Sequence, residues 1–154
     1  MQLLNKDELY EILTNPTREN FRILLQNHLG EEDYLDFKKE WPDKEKEARH
    51  ILAMANSGGG CIVFGVTQNE DGTFDISGLD KFKDAANLRN EVKGYLPASL
   101  SYHIKDFSYD NSEYDKMIGK KFQILIVEDK PLDLPYVCCK DGEKIKDGNI
   151  FIRK

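Results

Sequence analysis

Residues 51–68 read ILAMANSGGGCIVFGVTQ, in which an apolar helix face runs into three successive glycines and then into a strand. Gly58, Gly59 and Gly60 in a row are expected where the backbone turns through positive φ, or where another backbone or a phosphate approaches closely. The unbroken apolar run at 61–64 is typical of a buried strand. The segment therefore predicts a helix, a tight glycine turn and a central strand in direct succession.

A charged strand is predicted just upstream, over residues 33–39. Strand alternation places Asp36 and Lys38 on one face and the apolar side chains on the other. A helix over residues 43–57 follows this strand and leads into the glycines. The buried stripe of that helix consists of Ala48, Ile51, Leu52 and Ala55. Together the charged strand and the glycine segment indicate a site for nucleic acid or a nucleotide.

The remaining pattern predicts a strand over 61–67, a hairpin turn at 69–72 with a return strand at 74–76, a helix over 84–96, and strands over 100–107, 120–127, 135–139 and 150–153. Residues 5–28 are expected to form two short helices, capped by Asn5 and Thr17. We therefore expect an α/β (α+β) fold, with a mixed, largely antiparallel sheet flanked by helices and an added N-terminal helical pair. The strand of Cys61 should lie near the sheet centre. Residues 1–30 would form a helical cap on a domain of residues 31–154.

The bulk properties favour a single globular domain. The chain has 154 residues, 40% of them hydrophobic and 32% charged, which is typical of a globular rather than a disordered protein. The longest apolar runs are strand-sized and fall far below the roughly 20 residues that span a bilayer. The N-terminus lacks the basic and apolar regions of a signal peptide, so we expect a cytoplasmic protein without membrane contact.

The cysteines and the net charge limit the kinds of site that the chain is expected to have. Cys61, Cys138 and Cys139 form no CxxC or Cys/His cluster, so we expect buried free thiols rather than disulfides or a zinc site. The formal net charge of −6 argues against a protein that coats nucleic acid non-specifically, because such affinity grows with the number of Lys and Arg contacts. A local basic groove remains compatible with this charge, since fields are screened beyond about 10 Å.

The order of these motifs resembles the Schlafen/AlbA-like domain, also described as a DNA-binding or divergent ATPase domain. The resemblance covers residues 31–154, and its most specific part is the ANSGGG–GV block. The matching stretches are LDFKKEW (35–41), ILAMANSGGGCIVFGV (51–66), ISGLD (76–80), YLP (95–97), FQILIVED (122–129), LPYV (134–137) and NIFIRK (149–154). Schlafen members of the family are RNases that act on structured RNA such as tRNA. Bacterial members often stand at the front of longer regulators or anti-phage proteins and are described as binding ATP or nucleic acid.

The resemblance implies a site for Mg²⁺ or Mn²⁺ if the chain is a nuclease, because such ions need clustered carboxylates. The family pattern has an acid immediately before Phe-Lys and another five residues earlier, which here are Asp36 and Glu31. These two would hold the metal and act as catalytic residues, with Lys38 at the scissile phosphate. The third family acid follows Gly-Val, where this chain has Thr67 and Gln68.

The metal site therefore departs from the family pattern. Asp36 is one methylene shorter than the usual Glu, and Glu70 or Asp71 in the next turn could replace the third acid. The alternative is that Asp36, Glu31 and its neighbour Glu32 are solvated surface acids.

Several residues are candidate phosphate contacts. Lys38 and Lys39 follow Asp36 and could bind the ribose-phosphate backbone, and the resemblance adds Arg153 near the last motif. The other candidates are Asn56, Ser57, Gly58, Gly59 and Gly60, whose backbone N–H groups could cradle a phosphate or ATP. No Gly-Lys-Ser/Thr follows, so this is not a Walker A loop, and a helix C-terminus disfavours anions. The alternative is a helix C-cap with close helix–strand packing.

From these observations we expect a nucleic-acid-binding Schlafen/AlbA-like domain, acting as a module of a larger regulatory or anti-phage defence protein. Three alternatives stay open: a metal-dependent RNase that acts on structured RNA such as tRNA, an ATP-binding domain, and a protein-interaction or dimerisation module. The partners would be RNA or DNA, together with further domains, partner proteins or a second copy of the chain.

Overall fold

The computed structural model describes residues 17–20, 34–71, 73–110 and 115–153. Its main sheet consists of strands β1 (Leu35–Lys38), β2 (Gly60–Phe64), β5 (Tyr102–Tyr109) and β6 (Lys120–Val127). They lie side by side in the order β1, β2, β6, β5. β1 is parallel to β2, and the other two pairings are antiparallel. The predicted mixed, largely antiparallel sheet is thus confirmed, with Cys61 on a central strand.

In the part of the chain that the structure describes from residue 34 onward, two α-helices and two short 3-10 helices connect or flank the strands. Helix α1 (Lys44–Asn56) forms the crossover between parallel strands β1 and β2, and helix α2 (Ala85–Val92) packs beside α1. Asp43 caps α1 by accepting the N–H of Lys46 at 3.0 Å, and Asp84 caps α2 in the same way through Asn87 at 3.3 Å. The 3-10 helices are Asp115–Met117 and Pro131–Asp133.

The apolar side chains form two layers, one on each face of the main sheet. The layer on the helical side combines Ile62, Phe64, Leu125 and Val127 of the sheet with residues of both helices. The layer on the other side contains Leu35, Phe37, Cys61, Val63, Phe107, Phe122, Ile124 and Ile126. Since side chains alternate along a strand, Asp36 and Lys38 lie on the helical side.

The predicted strand over 61–67 divides into two. The N–H groups of Gly65 and Val66 both bind the carbonyl of Lys38, which ends the β2 ladder. Strand β3 (Thr67–Gln68) then pairs with β4 (Phe74–Asp75) as a separate two-stranded hairpin, as the turn residues predicted.

Two other boundaries differ from the prediction. The helix predicted over 84–96 ends at Val92, because Lys93 adopts an extended backbone and forms a bridge with Leu96. The strand predicted over 100–107 instead runs from Tyr102 to Tyr109, where it pairs along the full length of β6.

The strands predicted at 135–139 and 150–153 were wrong. Both segments lie outside the ladders of the described strands. The N–H of Cys138 binds the carbonyl of Asn149, so the two segments contact each other. Side chains of Asn56 and Ser57, rather than a neighbouring strand, hold the rest of the final segment.

The predicted N-terminal helical pair lies mostly outside the described residues. Within the described part, residues 18–20 are helical and Thr17 Oγ1 accepts the N–H of Asn20 at 3.1 Å, which agrees with Thr17 as a cap. Cys61 and Cys138 are buried free thiols, whereas Cys139 is exposed, so the expectation of burial was wrong for Cys139. Among the described helices, none has both the length and the apolar character needed to cross a membrane.

Candidate phosphate-binding site

Asp36 provides a carboxylate at the candidate site, next to Lys38 and Arg153. It stands on β1 opposite Ile62 of β2 and therefore faces the helical layer. Its Oδ1 accepts the N–H of Phe37 at 2.9 Å, which fixes the orientation of the carboxylate. The side chain is only 8% exposed, so Asp36 is not a solvated surface acid.

Two basic side chains converge on the other carboxylate oxygen of Asp36. Lys38 Nζ lies 3.2 Å from Asp36 Oδ2, and Arg153 Nη1 lies 3.7 Å from the same atom. Lys38 and Arg153 are 32% and 19% exposed, so the cations stand nearer to solvent than the carboxylate does. The structure thus brings together three of the residues that the sequence singled out.

Ser57 positions Arg153 from the end of helix α1. Its Oγ accepts the backbone N–H of Arg153 at 2.9 Å. No basic residue stands in the last turn of α1 itself. The backbone of Arg153 is therefore anchored at the C-terminal end of α1, while its guanidinium reaches Asp36.

The glycine turn lies beside the start of β1. Gly58, Gly59 and Gly60 have φ values of 96°, 75° and 143°, as the sequence predicted. A Cβ on Gly60 would stand 2.2 Å from the carbonyl oxygen of Tyr34, and one on Gly59 would stand 2.8 Å from the backbone of Val127. The N–H groups of Ser57 and Gly59 both bind the carbonyl of Met54, which makes this segment a helix C-cap.

Asn56 holds the C-terminal segments with its side-chain amide. Nδ2 donates to the carbonyls of Tyr136 and Phe151 at 2.9 and 3.0 Å, and Oδ1 accepts the N–H of Tyr136 at 2.6 Å. Both donor hydrogens of the amide therefore have backbone partners. The Asn56 side chain therefore supports the part of the chain that leads to Arg153.

Glu47 and His50 lie one turn apart on helix α1, and both are near enough to Lys38 to interact with its charge. Glu47 is 1% exposed, and neither its carboxylate oxygens nor His50 Nε2 has a hydrogen-bond partner among the described residues. Burial raises the pKa of Glu47 to about 8, with nearby Lys83 opposing the shift and Glu91 adding to it. Burial also lowers the pKa of His50 to about 4, and the positive charge of Lys38 adds to that effect.

The sequence reasoning missed Glu47, although a signal was present. Glu47 precedes Ile51 by one helical turn and so shares the buried stripe of α1. A charged residue on that stripe indicates a special environment, because an unpaired buried charge is costly.

The other predicted residues are spread more widely. Lys39 is exposed just beyond the end of β1. Thr67 and Gln68, which replace the third family acid, form strand β3. Asp71 accepts the hydroxyl and the N–H of Thr73 within the hairpin turn, at 2.6 and 2.9 Å, and these bonds lower its pKa.

A divalent metal does not fit the described side chains. Among residues 17–20, 34–71, 73–110 and 115–153, no group of three or more His, Cys, Asp or Glu side chains could hold an ion. Asp36 Oδ2 already faces two cations, which would repel a metal. Glu31 and Glu32 lie outside the described residues, so the ligand pair of Glu31 and Asp36 stays a prediction.

Cys61 is a free thiol in the core close to this site. It is fully buried on β2, and burial raises the pKa of its thiol above the ordinary value, with the charge of Asp36 adding to the shift. The neutral thiol acts as a core side chain.

Comparison with models of protein families shows to which family the chain belongs. The model of the family described as "Schlafen, AlbA_2" matches residues 31–154. The chain belongs to this family. The match includes every residue of the candidate site, from Glu31 to Arg153, and the helix–glycine–strand unit of this Schlafen/AlbA_2 domain. No curated protein matches the chain in sequence.

Several solved structures match the Schlafen/AlbA_2 domain, and one of them matches at low sequence identity. It is the solution NMR structure of the N-terminal domain of a RecG-related protein from Nitrosomonas europaea. The identity is 17%, the TM-score is 0.47, and the alignment covers 100% of this chain and 90% of that one.

Proposed function

We propose that this Schlafen/AlbA_2 domain binds nucleic acid through a phosphate site formed by Lys38 and Arg153, with Lys39 as an outer contact. The observation that carries the proposal is the convergence of Lys38 and Arg153 on one carboxylate oxygen, at 3.2 and 3.7 Å. Phosphate oxygens are bound by the same groups at similar distances. In the cell the domain would serve as one module of a larger regulatory or defence protein.

The site is built from rigid parts, which supports binding. Lys38 is on a strand paired to the sheet centre, and Arg153 is tied by its backbone to Ser57 and through Phe151 to Asn56. Cations that are held in place lose less entropy when a phosphate binds than free surface side chains do.

The net charge of the chain sets the expected strength of binding. A net charge of −6 opposes the approach of a polyanion, so binding depends on local basic positions. We therefore expect few phosphate contacts, modest affinity and a shallow but measurable salt dependence.

Fluorescence anisotropy with a labelled RNA hairpin and a labelled DNA duplex at low salt tests the proposal. Lys38→Ala and Arg153→Ala should each weaken binding by about tenfold, because each removes one charge-assisted contact. Lys116→Ala removes the same charge from an exposed lysine of a 3-10 helix and serves as the matched control. Absence of binding by the wild type, or equal loss in all three variants, would contradict the proposal.

A second measurement separates binding from cleavage. Structured RNA such as tRNA is incubated with the protein and Mn²⁺ and is expected to stay intact, because the cations beside Asp36 leave its carboxylate poorly suited to a metal. Cleavage that Asp36→Ala abolishes, with the fold retained, would replace the binding proposal by a metal-dependent RNase.

A further inference from the structure

The carboxylate of Asp36 occupies the position that a phosphate oxygen would take in the proposed site. Its Oδ2 receives Lys38 Nζ at 3.2 Å and Arg153 Nη1 at 3.7 Å, while Oδ1 is held by the N–H of Phe37. Because the side chain is buried on a paired strand, it cannot simply turn into solvent. The two cations are therefore already neutralised in part by an anion of the protein itself.

A ligand phosphate and Asp36 would compete for the same cations. Lys38 and Arg153 can bind a phosphodiester only by giving up part of their attraction to this carboxylate. A phosphate within reach of both cations would also stand close to the Asp36 carboxylate, where water screens the repulsion poorly. Like charges brought together at an interface weaken binding considerably.

We infer that Asp36 is the internal counterion of the phosphate site and sets its specificity: Lys38 and Arg153 exchange the carboxylate for a backbone phosphate of a polyanionic strand. This inference rests on the nucleic-acid-binding function proposed above. Small weak anions do not displace the carboxylate, whereas a nucleic acid gains further contacts and releases its own counterions on binding. Asp36 is thus a specificity-determining residue that tunes affinity without touching a metal.

The counterion role and a metal-ligand role give opposite results when Asp36 is neutralised. As a counterion, Asp36 opposes the ligand, so Asp36→Asn strengthens binding. As a metal ligand, Asp36 recruits the ion that holds the ligand, so the same variant weakens binding. Asparagine keeps the shape of the side chain and an oxygen that can accept the N–H of Phe37.

The experiment measures binding of a labelled RNA hairpin by anisotropy at fixed low salt in the presence of EDTA. Asp36→Asn should bind about tenfold more tightly than the wild type, since a like charge has been removed from the interface. Asp80→Asn is the matched control, because it makes the same charge change at an exposed aspartate and should alter the affinity by less than about twofold. Adding Lys38→Ala to Asp36→Asn should cancel the gain.

The possible failures are distinguishable. If the wild type binds and a folded Asp36→Asn binds equally or more weakly, the counterion inference is overturned while the binding function stands. If neither protein binds at low salt, both are overturned. If circular dichroism shows that Asp36→Asn does not fold, binding by the wild type is compared with EDTA and with Mn²⁺. Binding that is unchanged by EDTA supports the counterion role. Binding that requires Mn²⁺ overturns it.

Discussion

The side-chain amide of Asn56 pairs with the backbone of Tyr136 as a neighbouring strand would. It donates to the carbonyl at 2.9 Å and accepts the N–H at 2.6 Å, across 80 residues of sequence. A third bond, to the carbonyl of Phe151, extends this pairing to the segment that ends in Arg153. One side chain at the end of α1 therefore connects the helix, the loop and the candidate phosphate site.

Replacing Asn56 should destabilise the fold and displace Arg153. Asn56→Asp retains an acceptor for the N–H of Tyr136 but loses both donors, leaving two carbonyls facing a carboxylate. We expect a loss of about 2–4 kcal/mol in the free energy of unfolding, measured by urea denaturation. Asn90→Ala, at an exposed position of α2, should cost less than about 1 kcal/mol. Equal stabilities of the two variants would show that the hydrogen bonds of the Asn56 amide do not stabilise the fold.

The close approach of Gly60 to Tyr34 makes Gly60 the least replaceable glycine of the turn. Gly60→Ala would place a methyl group 2.2 Å from a backbone oxygen, so strands β1 and β2 would have to separate. We expect a loss of at least about 3 kcal/mol in the free energy of unfolding, or failure to fold. Gly119→Ala is the matched control, because Gly119 also has positive φ, at 74°, but has no atom within 4 Å of the added carbon. Similar losses in both variants would mean that φ strain alone, not the strand contact, explains the effect.

The buried Glu47 and the partly buried His50 on α1 predict a particular pH dependence of stability. The pKa of Glu47 is raised from 4.5 to about 8, so its contribution to stability is fully present below pH 4.5 and is lost as the pH rises toward 8. The pKa of His50 is lowered from 6.5 to about 4, so its contribution is present above pH 6.5 and is lost as the pH falls toward 4. Between pH 4.5 and 6.5 the two groups change the free energy of unfolding in opposite directions as the pH varies. From pH 6.5 to 8, only Glu47 of these two groups still changes it.

Glu47→Gln should therefore gain stability relative to the wild type as the pH rises from 5 to 8, by an amount on the order of several kcal/mol. His50→Gln should gain relative to the wild type as the pH falls from 6.5 to 4. Urea denaturation across this range measures both, and the exposed residue change Glu40→Gln provides the control. A stability difference between Glu47→Gln and the wild type that is independent of pH would contradict the placement of Glu47.

Thiol labelling tests the placement of the three cysteines. Cys139 is exposed while Cys61 and Cys138 are buried, so one thiol should react under native conditions and all three after denaturation. Partial desolvation and the charge of Asp147 raise the pKa of the exposed Cys139 thiol, which should slow its reaction at neutral pH. Mass spectrometry that finds native labelling at Cys61 would be incompatible with a central, covered β2.

Local patterns were enough to predict the part of the fold around the glycine turn. The apolar stripe of α1, the glycines and the strand of Cys61 are neighbours in sequence, and their periodicities are distinct. The shared face of Asp36 and Lys38 followed from strand alternation alone.

The C-terminal segments could not be predicted in the same way. Their alternating residues resemble strands, yet their backbone groups are bound by the side chains of Asn56 and Ser57. Such long-range bonds between a side chain and a backbone leave no periodic signal. For the same reason the sequence predicts only a backbone role for Asn56 and gives no sign of the bonds that its side-chain amide makes.

The salt dependence of nucleic-acid binding tests the central claim most directly. The affinity of the wild type and of the double variant Lys38→Ala, Arg153→Ala for one RNA hairpin is measured over a series of salt concentrations. The affinity falls as salt rises, and each lost phosphate contact should reduce the magnitude of the slope of log K against log salt by about one. We therefore predict a slope that is shallower by about one to two in the double variant. An unchanged slope, with the fold intact, would show that these two cations do not contact phosphate and would contradict the account.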